Sequence, residues 1–235
     1  MRTIGIEFCD EGFIAVEAAE SKFHFIELES SSTQSPGFVY YDGERYICGR
    51  QAQIRSRIYP RYVTDRCWDQ LSLRLSDLNV PGKAPRYSEL AYRHLSMIWK
   101  HIQKGGPVGK VVFALPGNYL VGEDGDDEKI GLILGIAQDL NIPLAGIVDM
   151  ACASLAVEIK PLGIGAGTAS VFHIDVHARS SFFSILQLKP QLRSVRLATA
   201  PIGFHHIFAE LNPKLANSFL SQTAFDVTHE AKTEQ

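Results

Sequence analysis

His173, Asp175 and His177 alternate along one stretch of the chain. On a strand such residues share a face, and imidazole with carboxylate is a donor set suited to a transition metal. Successive same-face residues stand ~6.6 Å apart, so three in a row do not converge on one ion, and a pair needs a further ligand from elsewhere. Arg45, Arg50, Arg55, Arg57, Arg61 and Arg66, with Tyr46, Tyr59 and Tyr62 between them, form a basic and aromatic stretch of the kind that binds single-stranded nucleic acid. The net charge of the chain is -3, however, and a solvated or protein-contact face is the better reading of those arginines. Asp124-Gly125-Asp126-Asp127-Glu128 has the composition of a calcium loop without its spaced ligands and terminal glutamate, and reads as a helix N-terminus. Gly163-Ile164-Gly165-Ala166-Gly167 mimics a dinucleotide fingerprint but precedes a strand instead of following one, which sets it aside. His205 and His206 are neighbours on a predicted helix, so one is expected at the surface and the other in the core.

A length of 235 residues allows one or two domains. Hydrophobic residues at 46% and charged residues at 21% suit an ordinary globular core. That charge balance gives no reason to expect nucleic acid or an anionic membrane as partner. Cys9, Cys48, Cys67 and Cys152 make no Cys-x-x-Cys pair, so neither zinc nor a redox couple is indicated. They read as buried thiols of a reducing compartment, with two disulfides as the open alternative. Met1 to Glu7 is no signal peptide, because charge interrupts it before an apolar run develops. No stretch approaches the ~20 apolar residues of a membrane helix, and a cytoplasmic location is expected.

These residues need elements to position them. Ile4 to Phe8, Phe13 to Val16 and Phe23 to Leu28 predict a three-stranded meander, followed by a loop at 30–37. Phe38 to Tyr41 and Arg45 to Cys48 flank Asp42-Gly43 as a hairpin. A short helix follows over 49–58, and 76–85, with Pro81, Gly82 and Pro85, is expected to be an exposed loop. The spacing of Leu90, His94, Met97, Ile98 and Ile102 predicts a helix over 87–104, stopped by Gly105-Gly106-Pro107. Strands are expected at 110–115 and 144–148, helices at 126–140 and 151–157, then strands at 169–175, 182–188 and 192–199 and a helix from about Phe204. A meander joined to βαβ units implies a mixed sheet with helices on its faces.

That order, with local matches, resembles the nucleotide-binding domain of DnaK-type heat-shock chaperones and their actin-like relatives. Ile4-Gly5-Ile6-Glu7-Phe8-Cys9-Asp10-Glu11 sits where the family has its first phosphate loop, Ile-Gly-Ile-Asp-Leu-Gly-Thr-Thr. Tyr41 to Ala52 is similar to the family hairpin and its "Val-Gly-x-x-Ala" helix start, and Lys110-Val111-Val112-Phe113-Ala114-Leu115-Pro116 to the strand ending in "Val-Pro-Ala". Ile142 to Asp149 and Ala151-Cys152-Ala153-Ser154-Leu155-Ala156 stand where the family has a strand and "Thr-Ala-Ala-Ala-Leu-Ala". Phe172 to Leu186 resembles the second phosphate segment, and Ala15-Val16-Glu17 is also similar to pilus-assembly and secretion proteins of the actin-like class. The resemblance implies an α/β, ribonuclease-H-like fold of mixed five-stranded sheets with helices on their faces. Residues 1–160 would form a first lobe, with a hairpin and helix segment inserted at about 37–86, and 161–235 would begin a second.

By the same resemblance Glu7 stands for the metal-organising aspartate, Asp149 for the catalytic glutamate and Asp175 for the second-loop aspartate. These three are the candidate catalytic cluster, able in principle to hold magnesium and orient water. Asp10, Glu11, Ser180 and Gly203 occupy the nucleotide-binding positions in degenerate form. A phosphate loop works by letting backbone N–H groups close on oxygen, which calls for glycine. Here Gly-Thr-Thr has become Cys9-Asp10-Glu11, whose carboxylates would repel a triphosphate. His177, Ala178 and Arg179 replace the second-loop glycines, Trp68 stands near the place of the catalytic lysine with Arg66 the closest cation, and Phe204 replaces one of two glycines beside Gly203. The adenosine-binding segment of the family would fall past residue 235. The expectation is a non-hydrolysing protein-interaction or assembly module, the N-terminal part of a longer protein, with a protein partner and no cofactor. The alternative is a chaperone-like or pilus- and secretion-type ATPase, active when full length, taking ATP and Mg2+ through Glu7, Asp149, Asp175 and Ser180. A metal-dependent nuclease on the same fold ranks last, since no basic groove accompanies Glu7 and Asp175.

Overall fold

Ile4, Ile6 and Phe8 alternate with Gly5 and Glu7, and this period of two builds the central strand β1 (Arg2–Cys9), its three apolar side chains fully buried. The computed structural model of the chain describes residues 1–19, 22–120, 128–159, 163 and 168–223. After β1 come β2 (Gly12–Ala19), β3 (Lys22–Phe25), β4 (Gln34–Pro36), β5 (Val39–Tyr41), β6 (Tyr46–Cys48), α1 (Arg50–Ser56), a 3-10 turn (Pro60–Tyr62) and β7 (Val63–Thr64). The chain continues through α2 (Tyr87–Gln103), β8 (Val108–Leu115), α3 (Gly117–Leu120), α4 (Glu128–Asp139), β9 (Leu144–Asp149) and α5 (Met150–Glu158). It ends in β10 (Ser170–Val176), β11 (Ser181–Gln187), β12 (Arg193–Ala200) and α6 (Phe204–Thr223).

The main sheet has the order β3-β2-β1-β8-β9, with β4 paired to β2 as a sixth strand off that path. β1, β2 and β3 are antiparallel neighbours, whereas β1, β8 and β9 run parallel. Parallel neighbours require crossovers, and α2 and α4 supply them. A second sheet, β10-β11-β12, is an antiparallel meander, and a third joins β6-β5-β7. The molecule is thus a mixed α/β protein with several sheets. Among the described residues no helix is long and apolar enough to cross a membrane.

The core lies between the main sheet and α2, with Leu90, Leu95, Ile98 and Ile102 facing Ile4, Ile6, Phe8, Val111, Phe113 and Leu115. Phe8 packs against Phe113, Phe13 and Trp68 at ring separations of 4.6, 4.8 and 5.3 Å. Such aromatic contacts each add about 1 kcal/mol beyond area burial. One polar group is built into this core: His94 is fully buried and bridges the Trp68 indole, 3.2 Å from Nδ1, and the Ser35 hydroxyl, 3.0 Å from Nε2.

Several expectations need correction. The main sheet has six strands because Gln34–Pro36, expected as loop, adds β4 to β2. Gly12 explains the close approach: its φ is 129°, and a Cβ there would collide with the Ser35 carbonyl. β3 is an exposed edge, with Phe23 and Phe25 at 75% and 67% exposure, so its alternation marks no buried face. The β5–β6 hairpin pairs Tyr41 with Tyr46 across a four-residue loop, where Asp42 accepts hydrogen bonds from the amides of Glu44 and Arg45, instead of a two-residue turn. Segment 76–85 is no simple exposed loop, since Ser76 and Leu78 are buried. His205 and His206 are both exposed, because α6 has no buried residue among those described. All four cysteines are free, three of them buried. The acidic run at 124–127, the glycine run after Gly163 and the ending from Thr228 lie outside the described residues.

Candidate functional site

The C-terminal end of β1 and the hairpin between β10 and β11 meet face to face. β1 brings Glu7 and Cys9, the turn after it Asp10 and Glu11, and β10 brings Asp175. Between them sits His177, whose side chain is 7% exposed. Its Nε2 lies 2.9 Å from Asp175 Oδ2 and its Nδ1 3.5 Å from Asp10 Oδ1, so one ring spans both carboxylates. Burial alone would lower the pKa of His177, but Asp10, Asp175 and Cys9 outweigh it and push the pKa up to about 12. The group is an imidazolium at neutral pH.

The carboxylates divide into two that the imidazolium holds ionised and two for which burial dominates. Burial opposes ionisation of Asp10, yet the imidazolium and the Arg179 amide hold its pKa below the usual value. Asp175 is held down first by its hydrogen bond with His177. Glu7 and Glu11 are pushed up, first by burial and then by Asp175 and Asp10 respectively. One cation thus offsets part of the charge of a cluster that carries four carboxyl groups.

The hairpin amides are also occupied. Arg179 N donates to Asp10 Oδ2 at 2.9 Å, and His177 N donates to the Ser180 carbonyl at 2.8 Å. The first amides of α6 follow the same rule: Phe204 N reaches the His177 carbonyl at 2.9 Å and His205 N the Ala178 carbonyl at 2.8 Å. Helix N-termini and turns offer phosphate their free N–H groups. Here protein oxygens already take these donors. The Arg179 guanidinium is spent as well, 2.6 Å from Asp65 Oδ2. As arranged, these residues do not fit magnesium triphosphate, because the Arg179, Phe204 and His205 amides are taken by protein oxygens and the cleft already holds four carboxyl groups, one of whose oxygens, Asp10 Oδ1, is buried without a hydrogen-bond donor.

Gly203 is where the hairpin and α6 touch. A Cβ at 203 would strike the His177 carbonyl oxygen and lie 2.6 Å from that of Ala178. Gly203→Ala is therefore expected to destabilise the chain by about 1–3 kcal/mol through overpacking. Thermal unfolding checks this, and an unchanged Tm would mean that residues 201–203 can shift without cost.

Of the sequence candidates, Glu7, Asp10, Glu11 and Asp175 come together. Asp149 does not join them. Its Oδ1 accepts from Ala151 N at 2.8 Å and Cys152 N at 3.2 Å, which makes it the N-cap of α5. It lines a separate cavity of about 570 Å3 with Gly117, Cys152 and Leu197. Ser180 contributes its carbonyl to the hairpin turn. Trp68 is buried in the aromatic core, so that position does not face the cleft, and Arg66 pairs locally with Asp69 at 3.2 Å. The arginine stretch is partly consumed in the same way, with Arg45 on Asp42 and Arg55 over the Tyr40 ring. Among the described residues no group of three or more His, Cys, Asp or Glu side chains is arranged to hold a metal ion.

Sequence reasoning takes His177 as a possible metal donor or as bulk in the place of a glycine, and misses it as a counter-ion. Sequence shows only that His177 follows Asp175 by one strand period; that Asp10 closes on the same ring is a long-range contact with no local signal. No protein-family model matches the chain, and no curated protein matches it.

Proposed function

We propose that the chain is a ribonuclease-H-like scaffold of the DnaK and actin type, a protein-interaction or assembly module that does not hydrolyse ATP. The observation that carries this reading is His177, whose imidazolium lies between Asp10 and Asp175 where the resemblance expects metal and phosphate. The strand order supports the scaffold: an antiparallel meander continued by two parallel strands through helical crossovers, then a second meander. The occupied amides of Arg179, Phe204 and His205 support the loss of phosphate binding. The position of Asp149 supports the loss of hydrolysis, since a carboxylate that caps a helix is committed to two backbone amides.

Calorimetry with ATP and ADP, with and without magnesium, tests the proposal on this chain and on any longer protein that contains it. No binding is expected at millimolar nucleotide. Micromolar, magnesium-dependent binding that disappears in Asp175→Ala would overturn it and restore the ATPase.

A further inference from the structure

The cleft beside the eroded phosphate site contains a cavity of about 740 Å3. That lies within the roughly 300–1,000 Å3 of ligand pockets. Its walls come from the turn after β1, from β4 and α1, from the β10–β11 hairpin and from the first turns of α6. Each wall is held in place. Gly37 N donates to the Glu11 carbonyl at 2.9 Å, and Arg50 N to Glu29 Oε2 at 2.9 Å. Arg179 N ties the hairpin to Asp10, and the Phe204 amide with the close packing of Gly203 fixes the start of α6 against that hairpin.

The lining favours one sign of charge. The amides that an anion would use are taken, Arg179 is spent on Asp65, and the exposed Arg50 is the remaining guanidinium. Asp10 and Glu11 line the cavity and belong to the four-carboxyl cluster whose cation is His177. Both are short of a partner. Asp10 is 8% exposed at its side chain, and its Oδ1 is buried without a hydrogen-bond donor, 3.5 Å from His177 Nδ1. No hydrogen bond or ion pair reaches the half-buried Glu11 carboxyl among the described residues. Burial, and then Asp10, push its pKa up, as expected of a carboxyl that lacks a cation.

The same cavity is lined by the rings of Phe38, Phe204 and Phe208. Phe204 and Phe208 stand one helical turn apart with ring centroids at 6.3 Å, and they are 44% and 54% exposed. Aromatic faces attract cations, and they also cover the apolar stem that carries one. Carboxyl groups short of a donor, beside such rings, make a lining for an ammonium or guanidinium on an apolar stem. A metal ion fits less well. It leaves the rings without a role, and among the described residues no three His, Cys, Asp or Glu side chains are arranged to hold one.

Resting on the reading of the chain as a protein-interaction module, we propose that this cavity takes a lysine or arginine side chain of a partner protein. The cationic head lies at Asp10 and Glu11, and the stem lies along Phe204 and Phe208. A cleft that turns away triphosphate thereby accepts the opposite charge. A free polyamine carries the same ammonium on an apolar stem, so the probes must separate the two sources.

An NMR titration of the isotope-labelled chain tests the site with capped alanine pentapeptides bearing a central lysine, arginine or norleucine, and with spermidine. The lysine and arginine peptides are expected to shift the Glu11, Phe204 and Phe208 amides and to saturate at about millimolar concentration. The norleucine peptide, with a stem and no charge, is expected to bind at least about tenfold more weakly. Glu11→Gln should cost the cationic peptides a similar factor, and Phe208→Ala about two- to fivefold. Glu44→Gln removes the same charge from the exposed β5–β6 loop and is expected to change nothing. The amide spectrum of each variant verifies its fold. Equal binding of the lysine and norleucine peptides, or equal losses in Glu11→Gln and Glu44→Gln, would overturn the site. Saturation by spermidine alone would assign the cavity to a free polyamine and overturn the partner side chain. Magnesium chloride acting on the same amides at lower concentration than the peptides would overturn it in favour of a metal ion. A chain that binds neither peptide nor nucleotide loses the cation site and keeps the closed phosphate site, whereas magnesium-dependent ATP binding sinks the latter whatever the peptides do.

Discussion

His177→Ala is expected to lower stability at pH 7 by about 3–5 kcal/mol, the range for removing one member of a buried ion pair. For a chain of this length that is a fall in Tm of roughly 10 °C. The size follows from what is left behind. Asp10 is 8% exposed at its side chain and Asp175 31%, and without the imidazolium both face Glu7 and Glu11 with no cation between them. Asp10 would keep the Arg179 amide, which is a hydrogen bond and not a full counter-charge. Two further variants separate charge from volume. His177→Gln fills most of the space without the charge and is expected to lose most of the same stability. Asp10→Asn in the His177→Ala background removes a carboxylate and is expected to recover part of the loss. Equal Tm values for the single and double variants would mean that the lost edge contact with Phe182, 5.0 Å from His177, matters more than charge.

The framework of the main sheet was legible because its signals are local. Ile4, Ile6 and Phe8 alternate, and Leu90, His94, Ile98 and Ile102 repeat with the helical period, so burial is written into the spacing. β4 was not legible, because a three-residue strand of Gln, Ser and Pro has no periodicity and exists only through its pairing with β2. The exposure of β3 was hidden for the same reason: alternation says which residues share a face, not whether anything covers that face. At the site, the resemblance brought Glu7, Asp10, Glu11 and Asp175 to one place, which is where they lie. It misplaced Asp149, since a strand-end aspartate before a helix serves a cleft or a cap equally well in sequence terms, and only backbone geometry decides. The role of His177 depends on Asp10, which is 167 residues away, and a long-range charge balance leaves no trace in spacing.

Stability is expected to peak near pH 6.5, with a different histidine responsible for each arm. His94 governs the acid arm. Burial pushes its pKa down to about 3, and the neutral ring accepts from the Trp68 indole at Nδ1, which leaves Nε2 to donate to Ser35. Between pH 6.5 and about 3 the unfolded chain therefore holds one more proton than the folded chain, and stability falls as pH falls. His177 governs the alkaline arm. Its folded pKa is raised to about 12, so above pH 6.5 the folded chain holds the extra proton and stability falls as pH rises. Each arm has a slope of about 1.4 kcal/mol per pH unit where one group titrates alone. The neighbours modify the extremes. Glu7 and Glu11, raised, oppose the acid arm from the ordinary glutamate range upward, while Asp10 and Asp175, lowered, reinforce it below the ordinary aspartate range. Cys9, Cys48 and Cys67, raised by burial, steepen the alkaline arm once unfolded thiols begin to ionise. Urea denaturation from about pH 5 to 8.5 samples both arms, and the alkaline side, from about pH 6.5 to 8.5, reads His177 most directly. His94→Gln should flatten the acid side alone, whereas His177→Gln should flatten the alkaline side and also alter the acid side, because Asp10 and Asp175 lose the charge that holds them ionised. A chain whose stability does not fall between pH 6.5 and 8.5 cannot hold a buried imidazolium between Asp10 and Asp175, and that result would remove the basis for the closed phosphate site.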